Sequence, residues 1–298
     1  MNYRHAYHAG NFADVLKHVV LTLIIEHLKL KPAPFRVIDT HAGIGSYDLS
    51  SIEAQKTGEW LDGIGRLMAA LLPADVDGIL APYLAAVRRD NAGLRGEHPG
   101  TALMRYPGSP QIARSLLRPD DRLAVNELHA DDAARLTTLF AGDPQTKVLT
   151  LNGWDAVKAL LPPKERRGVT LIDPPFEEPG EFDRLIQALS DAHKRFATGT
   201  VILWYPIKDL RAVDLFHDGL MRMDIPKLMS VVLMVRNPSH LGGLPGTGLV
   251  ISNPPFTLEA KLEVLLPYLQ TTLAQGSGAM ARLTWLKGEW LKGEKAIT

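Results

Sequence analysis

The sequence has no cysteine, no long apolar run and no net charge. Because cysteine is absent, disulfide bonds and thiolate metal sites are excluded. No segment approaches the roughly eighteen uninterrupted apolar residues of a membrane span, and the N-terminal segment lacks the apolar core of a secretory signal. The 33 basic and 33 acidic side chains cancel, which argues against a general nucleic-acid coat but leaves room for local basic patches. We therefore expect a cytoplasmic protein that does not enter a membrane.

What is present is an alternation of short apolar strands with amphipathic helices. The 298 residues are 46% hydrophobic, enough for a substantial core. Strands that end in polar residues and alternate with helical patterns are typical of a doubly wound α/β sheet. Residues 50–105 differ, because they form Ala/Leu-rich helical stretches broken by Pro73 and Pro82. We predict an α/β domain made of residues 1–49 and 106–298, with a helical insertion subdomain at 50–105 after the first strand.

The stretch V-T-L-I-D-P-P-F at residues 169–176 joins a buried strand to chemically useful groups. An apolar run without alternation is typical of a strand covered on both faces, and Pro174 cannot continue the ladder. Asp173 precedes a proline and is therefore held extended, where its carboxylate can accept a hydrogen bond from an exocyclic amino group. Phe176 offers a ring on which a base can stack. We predict a catalytic site at Asp173, Pro174 and Phe176.

A second copy of this pattern, N-P-P-F at residues 253–256, shows that the motif alone proves little. Asp-Pro and Asn-Pro pairs are common turn formers, so an ordinary turn is the competing interpretation for both copies. Asn253 lacks a carboxylate. It also comes late in the chain, where we expect the doubly wound sheet to have reached its edge. We predict that Asn253 is structural.

Polar groups follow other strands of the predicted sheet as well. Asp39 leads into a turn with Gly43, where a ligand can approach the backbone closely, and Glu127 and Asn152 end the next two strands. The acid that binds ribose in nucleotide folds comes about 20 residues after the glycine turn, and the insertion accounts for the longer separation here. We predict that Glu127 accepts hydrogen bonds from ribose hydroxyls beside Gly43; the alternative is a polar strand end.

Longer motifs resemble one family. The sequence resembles the RlmJ-type 23S rRNA (adenine-N6) methyltransferases, which belong to the D/N-P-P-Y/F/W class that uses S-adenosylmethionine. The matching stretches are Y-R-H-A-Y-H-A-G-N-F-A-D-V-L-K-H at 3–18, D-T-H-A-G-I-G at 39–45, Y-P-G-S-P at 106–110, E-L-H at 127–129, R-R-G-V-T-L-I-D-P-P-F at 166–176 and K-R-F-A-T-G-T at 194–200. The N-terminal motif is the most specific of them. The resemblance implies a Rossmann-like class I methyltransferase fold with a mixed sheet.

The resemblance also implies roles for individual residues. The cofactor-binding residues would be His18, His41, Ser109, Glu127, Asn152, Gly153 and Asp173. Asp173 would be the catalytic acceptor, and Tyr3 and Lys17 would lie with Phe176 at the substrate. Asn152 stands where we expect an aspartate, and its amide can still accept a hydrogen bond.

Other functions are weaker candidates. A DNA adenine methyltransferase would use the same pocket, and a non-catalytic RNA-binding or assembly protein could keep the same fold. A nicotinamide-dependent dehydrogenase is disfavoured because its G-x-G-x-x-G turn is absent. His5 and His8 belong to no recognisable metal motif, so we expect no metal. The predicted partner is 23S rRNA, and we expect a monomer.

Overall fold

The fold is built on one mixed eight-stranded sheet. A computed structural model describes residues 4–94, 103–238 and 243–288. The strands are β1 Arg36–Asp39, β2 Ser46–Asp48, β3 Arg105–Pro107, β4 Arg122–Asn126, β5 Thr146–Leu149, β6 Gly168–Ile172, β7 Thr200–Ile207, β8 Leu228–Met234, β9 Gly246–Ser252 and β10 Met280–Lys287. The main sheet has the order β10-β8-β9-β7-β6-β1-β4-β5, and β2 pairs with β3 in a separate two-stranded antiparallel sheet. The predicted doubly wound mixed sheet is confirmed.

Helices cover both faces of this sheet. They are α1 Phe12–Leu28, α2 Ile52–Thr57, α3 Ile64–Ala69, α4 Ala74–Asp90, α5 Ser109–Leu116, α6 Ala130–Leu139, α7 Gly153–Leu160, α8 Glu181–Arg195, α9 Leu210–Arg222 and α10 Leu258–Leu273, with 3₁₀ turns at His5–Tyr7 and Glu59–Leu61. One core lies on the α1 and α10 side and a second on the α8 and α9 side. Within the described ranges, no helix is long and apolar enough to cross a membrane.

Helix α1 begins where its sequence predicts. The side chain of Asn11 accepts hydrogen bonds from the N–H groups of Ala13 and Asp14, which satisfies two donors that the first turn leaves unpaired. From Phe12 to Ile25 every residue of the helix is buried, so α1 runs through the core. Its polar residues in this region therefore need partners inside the protein.

The strand order reverses between β1 and β6. From β1 the chain moves outward through β4 to β5, then returns to place β6 on the other side of β1 and β7 beyond it, all parallel. Open α/β sheets bind ligands at the carboxyl ends of strands at such a reversal. Asp39 is the last residue of β1 and Asp173 directly follows the adjacent parallel strand β6, so the two carboxyl groups meet at this end of the sheet.

The predicted place of Asn253 is wrong. Strand β9 lies inside the sheet, between β7 and β8, because the chain returns antiparallel to both. Asn253, at the carboxyl end of β9, consequently lies at the amino ends of the parallel strands, opposite to Asp173. There its side-chain amide donates to the Thr198 carbonyl, and its own carbonyl accepts from the Thr200 hydroxyl. These contacts tie β9 to the start of β7, which supports the prediction that Asn253 is structural.

The insertion differs in detail from the prediction. Helix α4 runs through Pro82 instead of ending before it. Buried Tyr83, Leu84 and Val87 hold the turns after the proline against the core, and this packing outweighs the hydrogen bond that proline cannot make. Helices α2, α3 and α4 lie between β2 and β3 in the chain and contribute to the same core as α1. The division into 1–49 with 106–298 and 50–105 stays a prediction.

Candidate active site

A cavity of about 290 Å³ opens at the carboxyl ends of β1, β4, β5 and β6. Most of the predicted site residues line it: Lys17, His18, His41, Gly43, Ser109, Glu127, Asn152, Gly153, Asp173 and Pro174. Phe176 is not among the lining residues, although its neighbours Pro175 and Glu177 are, and Tyr3 lies outside the described residues. No cluster of three or more potential metal ligands occurs in the described part of the chain.

Glu127 fixes the glycine turn after β1. One carboxylate oxygen accepts the N–H of Gly43 at 2.8 Å, and the other accepts the N–H of His129 at 2.8 Å. Gly43 has a φ of +60°, and a Cβ there would lie 2.2 Å from the Tyr47 hydroxyl oxygen. Only glycine therefore fits this turn without displacing Tyr47. Each carboxylate oxygen keeps a second lone pair for a ligand.

His41 and α7 form another wall of the cavity. The His41 ring meets Trp154 edge-on with 5.4 Å between ring centroids. A Cβ on Gly153 would lie 2.2 Å from His41 Nε2, so the ring can approach the helix only because residue 153 is glycine. Burial lowers the pKa of His41 to about 4, which leaves the imidazole neutral at pH 7. Asn152 caps α7 by accepting the Trp154 N–H at 3.0 Å.

His18 presents an unused nitrogen to the cavity. Its Nδ1 pairs with the Tyr106 hydroxyl at 2.7 Å, and that hydroxyl lies 3.0 Å from the hydroxyl of Tyr83. Burial lowers the pKa of His18 to about 3, so the ring is neutral. Its Nε2 is buried and has no hydrogen-bond partner among the residues that the structure describes. A buried polar atom of this kind is expected to meet a ligand or a water molecule.

Asp39 and Ser109 are hydrogen-bonded beneath the cavity. The Ser109 hydroxyl donates to Asp39 Oδ2 at 2.6 Å, and the His41 N–H donates to Oδ1 at 3.2 Å. Burial raises the pKa of Asp39 to about 6, and the nearby charge of Asp173 raises it further, against the hydrogen bond from Ser109. A positive charge in the cavity would therefore favour the ionised form of this carboxyl group.

Asp173 is the last member of a chain of charged groups. Lys17 Nζ lies 2.5 Å from Asp173 Oδ2 and 2.8 Å from Asp14 Oδ1. Asp14 Oδ2 in turn accepts from His5 Nε2 at 2.8 Å and from the Gly10 N–H at 2.9 Å. Burial would lower the pKa of Lys17, but the two carboxylates raise it above its ordinary value, so Lys17 is an ammonium. Burial acts to raise the pKa of Asp14, but the neighbouring His5 and Lys17 hold it well below its usual range.

Phe176 closes the D-P-P-F turn in an unusual conformation. Its φ of 52° lies in the left-handed region, which residues with a side chain rarely adopt. The ring meets Phe182 at 5.1 Å and Trp204 at 5.8 Å between centroids, nearly at right angles in both cases. Lys17 Nζ lies 6.0 Å from the Trp204 ring centroid. Trp204 therefore contacts both the Phe176 ring and the Lys17 ammonium.

The chain has relatives among known proteins. The family model described as "Ribosomal RNA large subunit methyltransferase D, RlmJ" matches residues 32–287. This chain belongs to the RlmJ family. It is 44% identical over 291 residues to ribosomal RNA large subunit methyltransferase J of Haemophilus influenzae, covering 97% of this chain and 100% of that protein. The enzyme of the same name from Escherichia coli is 39% identical over 290 residues, with 97% and 100% covered.

A solved structure has the same fold. A crystal structure of a protein from Legionella pneumophila matches with a TM-score of 0.82 at 31% identity, covering 93% of this chain and 98% of that one. The predicted family, the methyltransferase class of enzyme and the class I fold are therefore confirmed for this RlmJ-family chain.

Several residues of this site were not predicted. Asp14 lies three residues before Lys17 on the same helix face, a spacing that could have indicated the pair. Trp204 has a buried indole N–H without an acceptor in the described part of the chain, and it lies within the apolar strand β7 with no distinguishing signal. Glu181 lies five residues beyond Phe176 and accepts its N–H, a contact that only the folded turn reveals.

Proposed function

We propose that this RlmJ-family protein transfers the methyl group of S-adenosylmethionine to N6 of an adenine in 23S rRNA. The observation that supports this most directly is that Asp173 of the D-P-P-F turn faces the same cavity as Glu127, Gly43 and Gly153. A single cavity of this kind can hold a methyl donor and a target amine side by side. Catalysis then consists mainly of proximity and orientation.

The residues at the end of the cavity near β1, β4 and β5 fit the methyl donor. Glu127 would accept hydrogen bonds from its ribose hydroxyls, and Gly43 and Gly153 leave room where a Cβ would collide with Tyr47 or His41. The unpartnered Nε2 of His18 is available to its polar end. Ser109 and Asp39 lie beneath that end, where the donor's ammonium would be attracted to a carboxylate. When bound, the donor supplies an electrophilic methyl group.

Asp173 and its neighbours would orient the adenine. Lys17 donates to Asp173 Oδ2, which leaves Oδ1 to accept a hydrogen bond from N6. The Pro174 carbonyl would accept the other N6 hydrogen, and Phe176 would stack on the base. Asp173 need not remove the proton first, because the amine becomes far more acidic once it is methylated. Lys17 is only 3% exposed, so we propose that it acts on the substrate through Asp173.

Other parts of the proposal depend on the family resemblance. We propose that Tyr3 reaches the substrate and that Asn152 contributes an acceptor near the donor's adenine. We also propose a monomer that works in the cytoplasm, where rRNA is modified. Membership of the RlmJ family disfavours the two alternatives, a DNA adenine methyltransferase and a non-catalytic RNA-binding protein.

One experiment separates these functions. S-adenosylmethionine with a labelled methyl group is supplied with protein-free 23S rRNA, assembled large subunits or DNA, and labelled nucleosides are identified after digestion. We expect N6-methyladenosine from 23S rRNA. Asp173→Ala should lower the rate at least about a hundredfold, because a mispositioned amine loses most of the orientation advantage. Asp183→Ala, an exposed acid on α8, should leave the rate unchanged.

Each other outcome has a definite meaning. Label in DNA alone would overturn the rRNA assignment, and an unchanged rate in Asp173→Ala would overturn the site assignment. Binding of S-adenosylmethionine by calorimetry without transfer to any of the three substrates would favour the non-catalytic protein.

A further inference from the structure

The D-P-P-F turn contains a backbone conformation that needs support. Phe176 is not glycine, yet its φ is 52°. A side chain in the left-handed region crowds the backbone, so such a residue persists only when its surroundings hold it there. The turn also carries Asp173 and directs the Phe176 ring, so whatever holds Phe176 also controls the geometry beside the reacting amine.

The carboxylate of Glu181 makes the contact that holds Phe176. Its Oε2 accepts the Phe176 N–H at 2.8 Å. Glu181 is the first residue of α8 and only 5% exposed, and its side chain turns back toward the D-P-P-F turn, where Glu181 also lines the cavity. Burial raises the pKa of Glu181, and the hydrogen bond from Phe176 is the main influence in the other direction. Its ion-pair partner Arg184 is farther away, with Nη1 3.7 Å from Oε1.

The same helix also supports the Phe176 ring. Phe182, the next residue of α8, meets that ring at 69° between planes, and Trp204 of β7 meets it from a second direction at 77°. Ring edges that meet a ring face in this way are favourable contacts and resist rotation of the ring. The backbone of Phe176 is therefore fixed by Glu181 and its ring by Phe182 and Trp204.

We propose that Glu181 is a positioning residue, which holds the N–H of Phe176 so that the Phe176 ring stays in place to stack on the target base. Glu181 touches neither reacting atom and acts through Phe176. The stacking step rests on the proposed function, whereas control of the ring by Glu181 does not. Without the carboxylate, the turn relaxes out of the left-handed conformation and the ring leaves its place beside Asp173.

The alternative role for Glu181 is to stabilise α8 by its negative charge alone, and the two roles predict different results. A negative charge in the first turn of a helix is stabilising wherever its side chain points. Asp183 is an exposed acid in the same turn. If charge alone mattered, Asp183→Asn would resemble Glu181→Gln, and neither would move the Phe176 ring. If the hydrogen bond matters, Glu181→Gln keeps an acceptor oxygen and rescues what Glu181→Ala loses.

The first measurement reports the ring and needs no enzymatic activity. The full chain is labelled with 5-fluorotryptophan, and the ¹⁹F resonance of Trp204 is assigned among the five tryptophans by its loss in Trp204→Phe. Phe176→Ala gives the position of this resonance without the ring. We expect Glu181→Ala to move the resonance toward that position. Glu181→Gln and Asp183→Asn should keep the wild-type position.

The second measurement follows methyl transfer to 23S rRNA. We expect Glu181→Ala to lower kcat/KM about tenfold to a hundredfold, the loss typical of a misplaced reacting group. The dissociation constant for S-adenosylmethionine should stay within about twofold, because the donor binds at the other end of the cavity. Glu181→Gln should recover kcat/KM to within about threefold of wild type.

A double-mutant cycle decides whether Glu181 acts through Phe176. In the Phe176→Ala background, Glu181→Ala should change kcat/KM by less than about twofold, because the group that it positions is already absent. An additive loss would overturn the proposal, as would a Trp204 resonance that stays in place in Glu181→Ala. If wild-type protein transfers no methyl group to rRNA, the proposed function fails, and the ¹⁹F spectra still decide whether Glu181 holds the ring.

Discussion

Lys17 is a buried cation that forms ion pairs with two carboxylates. Its side chain lies in the interior between Asp14 and Asp173, and the three groups have a net negative charge before His5 is counted. Pairs of this kind contribute little compared with apolar packing, but removal of one partner leaves the others buried and uncompensated. At the scale of single residues, the site is therefore sensitive to loss of the cation.

The first prediction compares two lysines of the same helix region. Lys17→Met should lower the free energy of unfolding by roughly 3–5 kcal/mol, since Asp14 and Asp173 would remain buried without their cation. Lys29→Met removes a partly exposed pair with Glu26, whose Nζ–Oε1 distance is 2.6 Å. Lys29→Met should lower the free energy of unfolding by less than about 1 kcal/mol. Urea unfolding followed by circular dichroism measures both, and equal losses would contradict the assignment.

The second prediction concerns the pH dependence of stability. The folded protein binds a proton at Asp39 more tightly than the unfolded chain does, because burial raises this pKa from 3.8 to about 6. The stabilisation is complete below pH 3.8 and is lost as the pH rises to 6. It amounts to about 3 kcal/mol, since one pKa unit corresponds to about 1.36 kcal/mol.

Asp39→Asn removes this dependence. The difference in unfolding free energy between wild type and Asp39→Asn should change with pH across that window and stay constant above it. A difference that is independent of pH between 3.8 and 6 would show that the pKa of Asp39 is not raised in the folded protein. Unfolding of both proteins in urea at a series of pH values supplies the measurement.

The candidate site was more predictable at strand ends than at helices. Asp173, Glu127 and Asn152 each follow an apolar strand, so the sheet alone brings them to one edge. The part played by Asp14 depends on how α1 packs against that edge, which a helical repeat does not specify. Glu181 depends on a left-handed turn at Phe176, and no propensity predicts that conformation for phenylalanine.

At the scale of elements, two glycines in helices have opposite roles. Gly153 begins α7 against the His41 ring, whereas Gly78 lies within α4, where a Cβ would have no neighbouring atom within 4 Å. Glycine is required at position 153 because the His41 ring approaches the helix closely. Gly78 only weakens its helix, because glycine loses more backbone freedom on folding than alanine does.

The third prediction follows from this contrast. Gly153→Ala should push His41 out of the cavity wall and lower the affinity for S-adenosylmethionine at least about tenfold, the typical cost of ~1.4 kcal/mol of misplaced contact. Gly78→Ala should leave that affinity unchanged and stabilise the protein by about 0.5–1 kcal/mol. Calorimetric titration and thermal unfolding test the two variants together, and unchanged binding by Gly153→Ala would argue against a donor site at His41.

Local signals predicted some elements and failed for others. Asn11 and the apolar repeat that follows it predicted α1, because capping and burial agree there. The same approach placed a break at Pro82, where packing of the following residues outweighs the cost of proline. The position of β9 was missed because antiparallel return of a late strand depends on pairing across the sheet, which no local pattern encodes.

At the scale of the whole molecule, the insertion shares its interior with the sheet domain. Leu80 of α4 is completely buried in the core that also contains Leu16 and Val20 of α1. Helix α4 packs against α1, α5 and α10. We therefore expect the insertion and the sheet to unfold together, although they were predicted as separate units of sequence.

The fourth prediction tests this cooperativity. Leu80→Ala should lower the free energy of unfolding by roughly 2–5 kcal/mol, through lost apolar contact and the cavity that remains. Native-state hydrogen exchange should show the same loss for peptides of α4 and of β6, as expected for one cooperative unit. A loss confined to peptides from residues 50–105 would identify the insertion as an independently unfolding subdomain.

The ion pair between Lys17 and Asp173 also has a consequence for synthesis on the ribosome. The two residues are separated by 156 positions, so Lys17 leaves the ribosome long before its partner exists. Burial of an ammonium that has only one of its two carboxylates, Asp14, is costly, so the Lys17 end of α1 should stay in water until β6 emerges. Nascent chains that stop before residue 168 should react at Lys17 with amine-modifying reagents, whereas the finished chain should protect it. On this expectation, the core around Lys17 is completed only when Asp173 has been made.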